Sequence, residues 1–148
     1  MNYESLLTEK FTVVDAVQPQ AVTAGATGVL TGAIDCANYT QLLGVLLSGT
    51  LGASGTLDFK VVASATSGGT YELLTGKAIT QLVKASNDND IAAIEVDAHE
   101  VLAAGKRYVK FNVVAGTANA TSAAVVLGAP RNFKASDVKS ADLIQVVA

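Results

Sequence analysis

The chain of 148 residues suits a single domain, since a domain of about 150 residues buries roughly 68–70% of its unfolded surface. Its formal charge is -3 and its pI is near 5.0, so the sequence lacks the basic surface that binds a phosphate backbone, and we expect no nucleic-acid partner. A single cysteine, Cys36, excludes a disulfide framework within the chain. We expect Cys36 to be a small buried hydrophobe.

Residues 1–26 are predicted to form an N-terminal arm outside the core. The stretch "YESLL" is compatible with one helical turn and "FTVVDAV" with a short strand, and Pro19 then interrupts regular pairing. The opening "MNYESLLTEK" lacks the apolar region of a secretory signal. An arm of this length needs a surface to lie against. We therefore predict contacts with a partner at Tyr3, Leu6, Leu7 and Phe11.

Residues 27–130 are predicted to form a β-sandwich core. Apolar and polar residues alternate, which places Leu57, Phe59, Val61 and Ala63 inward in one strand and Val109, Phe111 and Val113 inward in another. Predicted strands cover 28–36, 41–49, 55–64, 70–74, 77–83, 91–97, 106–114 and 122–129. Strand 41–49 is apolar on both faces, as expected of a central strand covered on both sides.

Eight short strands separated by turns, with no long amphipathic helix, favour an all-β fold. The expected architecture is an antiparallel, jelly-roll-like β-sandwich with extended N- and C-terminal arms. Periodicity does not predict the strand order. The most apolar window, 41–57, is broken by Ser, Thr and Gly before it reaches the roughly 20 residues of a membrane span, so we expect no membrane partner.

Residues 131–148 are predicted to form a C-terminal arm. The segment "RNFKASDVKSADLIQVVA" begins polar and ends apolar. An apolar terminus is costly to leave in water, so the arm is expected to pack on its own domain or on a neighbour. The predicted contact residues in this arm are Phe133, Leu143, Ile144 and Val146.

Two short stretches are candidates for chemistry. His99 has Asp97 and Glu100 nearby as possible orienting partners for a general base, but the sequence supplies no nucleophile beside it, and a surface turn is the favoured interpretation. The run "NDND" at 87–90 carries hard oxygen ligands, yet it lacks the length, the bend glycine and the distal glutamate of a calcium loop. A solvated loop is favoured there.

The remaining polar features do not form a catalytic pattern. Lys106, Arg107 and Lys110 with Tyr108 form a basic cluster that either binds an anion or, more simply, belongs to a charged sheet face or subunit contact. The glycine-rich stretches join strand to strand and lack the helix of a phosphate cradle. We therefore expect a protein that is not an enzyme, with no cofactor, no metal and no small-molecule substrate.

The predicted core also resembles a known family. The stretches "SGTLDFKVV", "GGTYELLTG", "IEVDAHEVL" and "GKRYVKFNVV", followed by an Ala/Thr-rich final strand, are similar to the head decoration, or cement, proteins of tailed bacteriophages. The resemblance covers about residues 28–131 and leaves out both arms. None of these stretches is a chemical signature.

This resemblance implies a jelly-roll-like domain that forms homotrimers on the outside of an icosahedral phage capsid. There it would clamp neighbouring subunits of the major capsid protein, so the expected partners are that protein and further copies of this chain. The implied location is the outer surface of the virion, with the host cytoplasm during assembly. Two alternatives stay open, namely a tail or head–tail joining protein and a carbohydrate-binding β-sandwich that uses Tyr39, Tyr71 and Tyr108.

Overall fold

A computed structural model describes residues 7–131, which fold into two packed β-sheets. Two short helices are present in this part of the chain, α1 (Leu7–Lys10) and α2 (Ala98–Ala103), together with a 3-10 turn at Cys36–Asn38. The strands are β1 (Thr12–Val22), β2 (Val29–Leu30), β3 (Ile34–Asp35), β4 (Tyr39–Leu51), β5 (Thr56–Ser64), β6 (Glu72–Ala78), β7 (Leu82–Val83), β8 (Ile91–Asp97), β9 (Tyr108–Ala115) and β10 (Ala120–Pro130).

The strand order identifies the fold. The first sheet has the order β1-β10-β4-β8 and the second has the order β2-β9-β5-β6, with β3 also pairing with β9 and β7 with β5. Each strand pair is antiparallel, and most connections carry the chain from one sheet to the other. This is the order of a jelly roll, an architecture found in viral capsid proteins, lectins and cupins. The predicted fold class is confirmed, and the structure supplies the strand order.

The core lies between the sheets and centres on two aromatic rings. Phe59 and Phe111 are fully buried, with ring centroids 5.8 Å apart. A Cβ atom at Gly44 would collide with the Phe111 ring, so only glycine lets β4 pass this close to it. The residues predicted to face inward from strands 55–64 and 106–114 are all buried. Burial of such rings stabilises the fold through the hydrophobic effect and close packing.

The structure differs from the predicted N-terminal arm over residues 12–22. This segment is β1, which pairs along β10 and buries Val17 and Val22 in the core. Pro19 is exposed and lies in the register shift between Val17 and Gln20. An edge strand tolerates proline at such a bulge because no ladder hydrogen bond is lost there. Residues 1–6 and 132–148 lie outside the described residues.

Two smaller differences concern the second sheet. The predicted strands 70–74 and 77–83 are replaced by β6, which runs through Gly76 at a φ of +76°, and by the short β7. The alternation that places Phe111 and Val113 inward predicts that Asn112 points to solvent, yet Asn112 is 6% exposed. Its amide donates to the carbonyl oxygen of Thr27 at 3.1 Å, because the segment around β2 folds over it.

Candidate functional site

The outer surface of the first sheet is the candidate site. Along β4, Leu42 and Leu46 point into the core, whereas Leu43 is 37% and Leu47 is 44% exposed. The neighbouring strands continue this apolar surface, and Ile91 on β8 is 70% exposed. We call this surface the apolar face, and it consists of Val13, Ala16, Leu43, Val45, Leu47, Ile91, Ala93, Ala123, Val125 and Leu127.

The strand register arranges the apolar face in three rows across the sheet. The rows are Val13–Leu127–Leu43, Ala16–Val125–Val45–Ala93 and Ala123–Leu47–Ile91. Side chains on directly opposed residues of paired strands are close enough to pack together. The rows therefore form one continuous surface and not a set of isolated exposed residues.

A groove lies at one end of the apolar face, where the N-terminal segment meets the sheet. Its volume is about 370 Å³, and its walls include Leu7, Phe11, Leu43, Leu127 and Glu95. Leu7 is 74% and Phe11 is 43% exposed. The amide of Phe11 donates to the carbonyl oxygen of Leu7 at 2.8 Å, which closes the turn of α1 beside the groove. The groove lining is mainly apolar, and its polar residues are Gln41 and Glu95.

The outer surface of the second sheet carries more polar side chains, and its exposed apolar residues, Leu30, Leu73 and Val83, lie on separate strands. We call it the polar face, and it includes Asp58, Lys60, Tyr71, Leu73, Tyr108, Lys110 and Val114. The ammonium of Lys110 lies 4.4 Å from the centroid of the Tyr71 ring, a cation–π contact. The amide of Gln81 donates to the Asp58 carboxylate at 2.9 Å. Asp58, Lys110 and Tyr71 thus already have partners within the domain.

The predicted basic cluster is mostly engaged in ion pairs. Arg107 donates two hydrogen bonds to the Asp35 carboxylate, at 2.9 and 2.7 Å, and its guanidinium lies 5.5 Å from the Tyr108 ring centroid. The Arg107 hydrogen bond holds the pKa of the Asp35 carboxyl below its ordinary value. Lys106 pairs with Glu72 at 2.8 Å. The structure therefore favours a charged sheet edge over an anion site.

The residues around His99 do not assemble into a base. The Asp97 carboxylate accepts a hydrogen bond from the backbone amide of His99 at 2.8 Å, and so it caps α2 instead of orienting the imidazole. Glu100 pairs with Lys77 at 3.3 Å. His99 lines a shallow polar depression with Thr40, Gln41, Asp97 and Arg131. The arrangement suits a helix start on the surface.

The "NDND" loop uses its oxygens within the protein. The Asp88 carboxylate accepts from the amide of Leu51 at 2.9 Å and pairs with Lys84. The Asp90 carboxylate accepts from the side chain of Asn87 at 2.9 Å. A hydrogen bond from the Leu51 amide to Asp88 therefore holds the loop against β4. Within residues 7–131 no group of three His, Cys, Asp or Glu side chains is arranged to hold a metal ion.

Cys36 is fully buried, as predicted, at the end of β3. Burial raises the pKa of its thiol to about 12, with a further contribution from the nearby Asp35 carboxylate. A thiol in this environment stays protonated and is a poor nucleophile.

Over the described part of the chain, no helix has both the length and the apolar character needed to cross a bilayer.

Of the eight predicted contact residues, the structure describes two. Leu7 and Phe11 lie together at the groove beside the apolar face, whereas Tyr3, Leu6, Phe133, Leu143, Ile144 and Val146 lie outside the described residues. The sequence reasoning missed the apolar face itself. Two runs of consecutive apolar residues could have indicated this face. They are 41–49 and the run "AAVVL" at 123–127, which lies on the adjacent strand.

Comparisons with known proteins give little beyond this geometry. No family model matches the chain, and neither does any curated protein. The crystal structure of the infectious bursal disease virus VP2 subviral particle is similar over 85% of this chain and 33% of that chain, at 14% identity and a TM-score of 0.43. The structure of the Gx strain of the same virus gives 12% identity and a TM-score of 0.41, over 85% and 34% of the two chains. The chain thus spans about a third of the length of these two proteins.

Proposed function

We propose that this protein is a structural component of a virion that acts by binding and not by catalysis. In this proposal it binds the outside of an icosahedral phage capsid as a homotrimer and stabilises the head by clamping neighbouring major capsid protein subunits. The sequence resemblance to head decoration proteins suggests this role, and the jelly-roll fold is compatible with it. Fold alone does not assign function, so the surface has to carry the proposal.

The apolar face is the observation that carries the proposal. The largest contiguous apolar patch on a soluble protein often marks a site where another polypeptide packs. Leu43 and Leu47 lie at its centre, on a strand paired on both edges, so the contact would use side chains on a rigid support. A rigid, preorganised surface loses little entropy on binding. This suits a protein whose task is to hold subunits in place.

The described side chains offer less support to a carbohydrate-binding module. Sugar sites commonly stack rings on exposed aromatic side chains. Tyr39 is 5% exposed, Tyr71 lies under the Lys110 ammonium, and Tyr108 lies under Arg107. The three tyrosines considered for a sugar site are thus buried or stacked within the domain. A glycan array with clear hits would revive this alternative.

Two measurements on the purified full-length protein test the proposal. Light scattering after size exclusion is expected to give the mass of a trimer, and sedimentation with expanded phage heads is expected to show saturable binding. The binding assay uses expanded heads that have lost their own decoration protein, and unexpanded heads are the control. A monodisperse monomer that does not sediment with heads would contradict the proposal.

The symmetry of the assembly separates decoration from a tail or head–tail joining role. Joining proteins form rings of six or twelve, whereas decoration at three-fold positions requires three copies per site. The copy number per virion gives a second discrimination, because a decoration protein is present in hundreds of copies. A ring of six or twelve copies would contradict the capsid-surface role and support a tail or head–tail joining role.

A further inference from the structure

The apolar face raises the question of which polypeptide covers it, and its size limits the answer. Three rows of side chains on four strands span roughly 15–20 Å in each direction, or about 200–400 Å², since strands lie about 4.8 Å apart and rise about 3.4 Å per residue. A stable interface between two folded proteins needs about 800 Å² per partner. The face is therefore too small to hold a second folded copy by itself. It matches a single extended segment.

The chain itself carries a segment of suitable length and chemistry. Residues 143–147 read "LIQVV", and a five-residue extended stretch spans about 17 Å, close to the length of the three rows. Of these five side chains, four are aliphatic and one is an uncharged amide. Aliphatic side chains are the complement of a surface made of Leu, Val, Ile and Ala.

The point at which the chain leaves the described fold is also suitable. Arg131 follows β10 and is held in place, since its amide donates to the carbonyl oxygen of Asn38 at 2.9 Å and its guanidinium to that of Tyr39 at 3.2 Å. Arg131 lines the polar depression together with Gln41, and Gln41 also lines the groove. The part of the chain that follows Arg131 therefore starts at the groove end of the apolar face.

The connecting segment is long enough to reach every row. Leu143 is twelve positions beyond Arg131, a stretch that extends up to about 40 Å. The six residue-to-residue steps from Gln41 to Leu47 along β4 cover only about 20 Å. Tethering also raises the local concentration of the segment near the face to the millimolar range, so that a weak contact becomes well populated.

We propose that the C-terminal segment 141–148 is the occupant of the apolar face and of the groove at its end. Alternate side chains of an extended segment share a face, so Ile144 and Val146 lie together on the rows centred on Leu43 and Leu47. The inference deepens the proposed function, because the face and the segment on it then form the contact surface offered in the particle. It concerns the free protein and is tested without capsids.

A spin label on the full-length chain tests the contact. Cys36 is buried and its thiol has a raised pKa, so a nitroxide reagent will label Ala141→Cys selectively. We expect the methyl NMR signals of Leu43, Leu47, Ile91 and Leu127 to broaden several-fold more than those of Leu73 and Val114 on the polar face. Broadening that is equal on both faces, or absent from the apolar face, would overturn the inference.

A matched variant shows whether the aliphatic side chains make the contact. The labelled chain that also carries Ile144→Asp and Val146→Asp is expected to lose the selective broadening, because two carboxylates cannot be buried on an apolar surface. Resistance of Cys36 to thiol reagents before unfolding verifies that this variant keeps its fold. Selective broadening that survives both substitutions would contradict the inference.

A second label position tests the competing occupant. Nitroxide attached at Asn2→Cys reports on the N-terminal segment, and it is expected to broaden the apolar-face rows less than the label at residue 141 does. The opposite result would assign the face to the N-terminal segment and overturn the inference. None of these measurements uses phage heads, so their failure is distinguishable from a failure of head binding.

Discussion

The two sheets of this domain share one core but present opposite outer surfaces. The polar face uses its charged groups within the domain, in the Lys110–Tyr71 contact and the hydrogen bond from Gln81 to Asp58. The apolar face leaves Leu47 and Ile91 exposed on paired strands. A polar sheet surface is stable in water, whereas an apolar one gains free energy when it is covered. Under the proposed function, the first sheet is therefore the contact side of the molecule.

The largest expected effect comes from removing the support that both faces share. Phe111→Ala deletes a fully buried ring between the sheets, and it is expected to lower the free energy of unfolding by about 3–5 kcal/mol. Urea unfolding measures the loss, and the matched control is Leu73→Ala on the polar face. Cys36 should become reactive to thiol reagents at a lower urea concentration in Phe111→Ala. An effect below about 1 kcal/mol would contradict the shared-core description.

The second prediction compares the two faces directly. Leu47→Asp places a carboxylate at the centre of the apolar face, and Leu73→Asp is the matched control, because Leu73 is 56% exposed on the other sheet. Each is expected to change the free energy of unfolding by less than about 1 kcal/mol. Of the two variants, only Leu47→Asp should weaken head binding, by about 2 kcal/mol or roughly 30-fold, because it disrupts the centre of the contact surface.

Sedimentation with expanded heads measures this difference. Equal binding by Leu47→Asp and Leu73→Asp would remove the functional distinction between the faces. Stronger loss in Leu73→Asp would reverse it and assign the contact to the second sheet.

The smallest expected effect concerns the charged edge of the second sheet. Arg107→Gln removes the guanidinium that hydrogen-bonds Asp35, so the pKa of Asp35 should rise toward its ordinary value. Because the native pKa is depressed, the pair stabilises the fold above the unfolded carboxyl's pKa of about 3.9, and this contribution disappears as the pH falls through the native pKa. NMR titration of the Asp35 carboxyl carbon measures the change. An unaltered pKa would contradict the assignment of its cause to Arg107.

Arg107 is more than half exposed, so solvent screens this ion pair and its effect on stability is small. Head binding by Arg107→Gln is expected to equal that of the unchanged protein. A marked loss of binding would extend the contact surface beyond the apolar face.

Much of the core was predictable from the sequence because alternation is a local signal. The inward sets around Phe59 and Phe111 follow from a period of two, and the turn ending at Gly105 follows from helix-end chemistry. The strand order was not predictable, since it depends on pairings between strands distant in sequence. For a related reason only the first part of Thr12–Val22 was predicted as a strand, because Pro19 looks incompatible with one until the bulge at a sheet edge is seen.

The candidate site was only partly predictable. Strand 41–49 is apolar on both faces, and it was therefore predicted to be a central strand covered on both sides. In the structure the inner side of this strand packs on the core, but Leu43 and Leu47 on its outer side stay exposed among the described residues. Periodicity reports which residues avoid water, and it does not say which polypeptide covers them. Leu7 and Phe11 were proposed as contacts, and the structure shows that they border the groove at the same face.

A reconstruction of the native particle tests the central claim most directly, namely that the apolar face is the contact surface. The account predicts density for three copies of this domain at the three-fold positions of the head, with Leu43, Leu47 and Leu127 covered by polypeptide and the polar face turned to solvent. A particle in which the apolar face points to solvent while Lys110 and Tyr71 contact the capsid would contradict it.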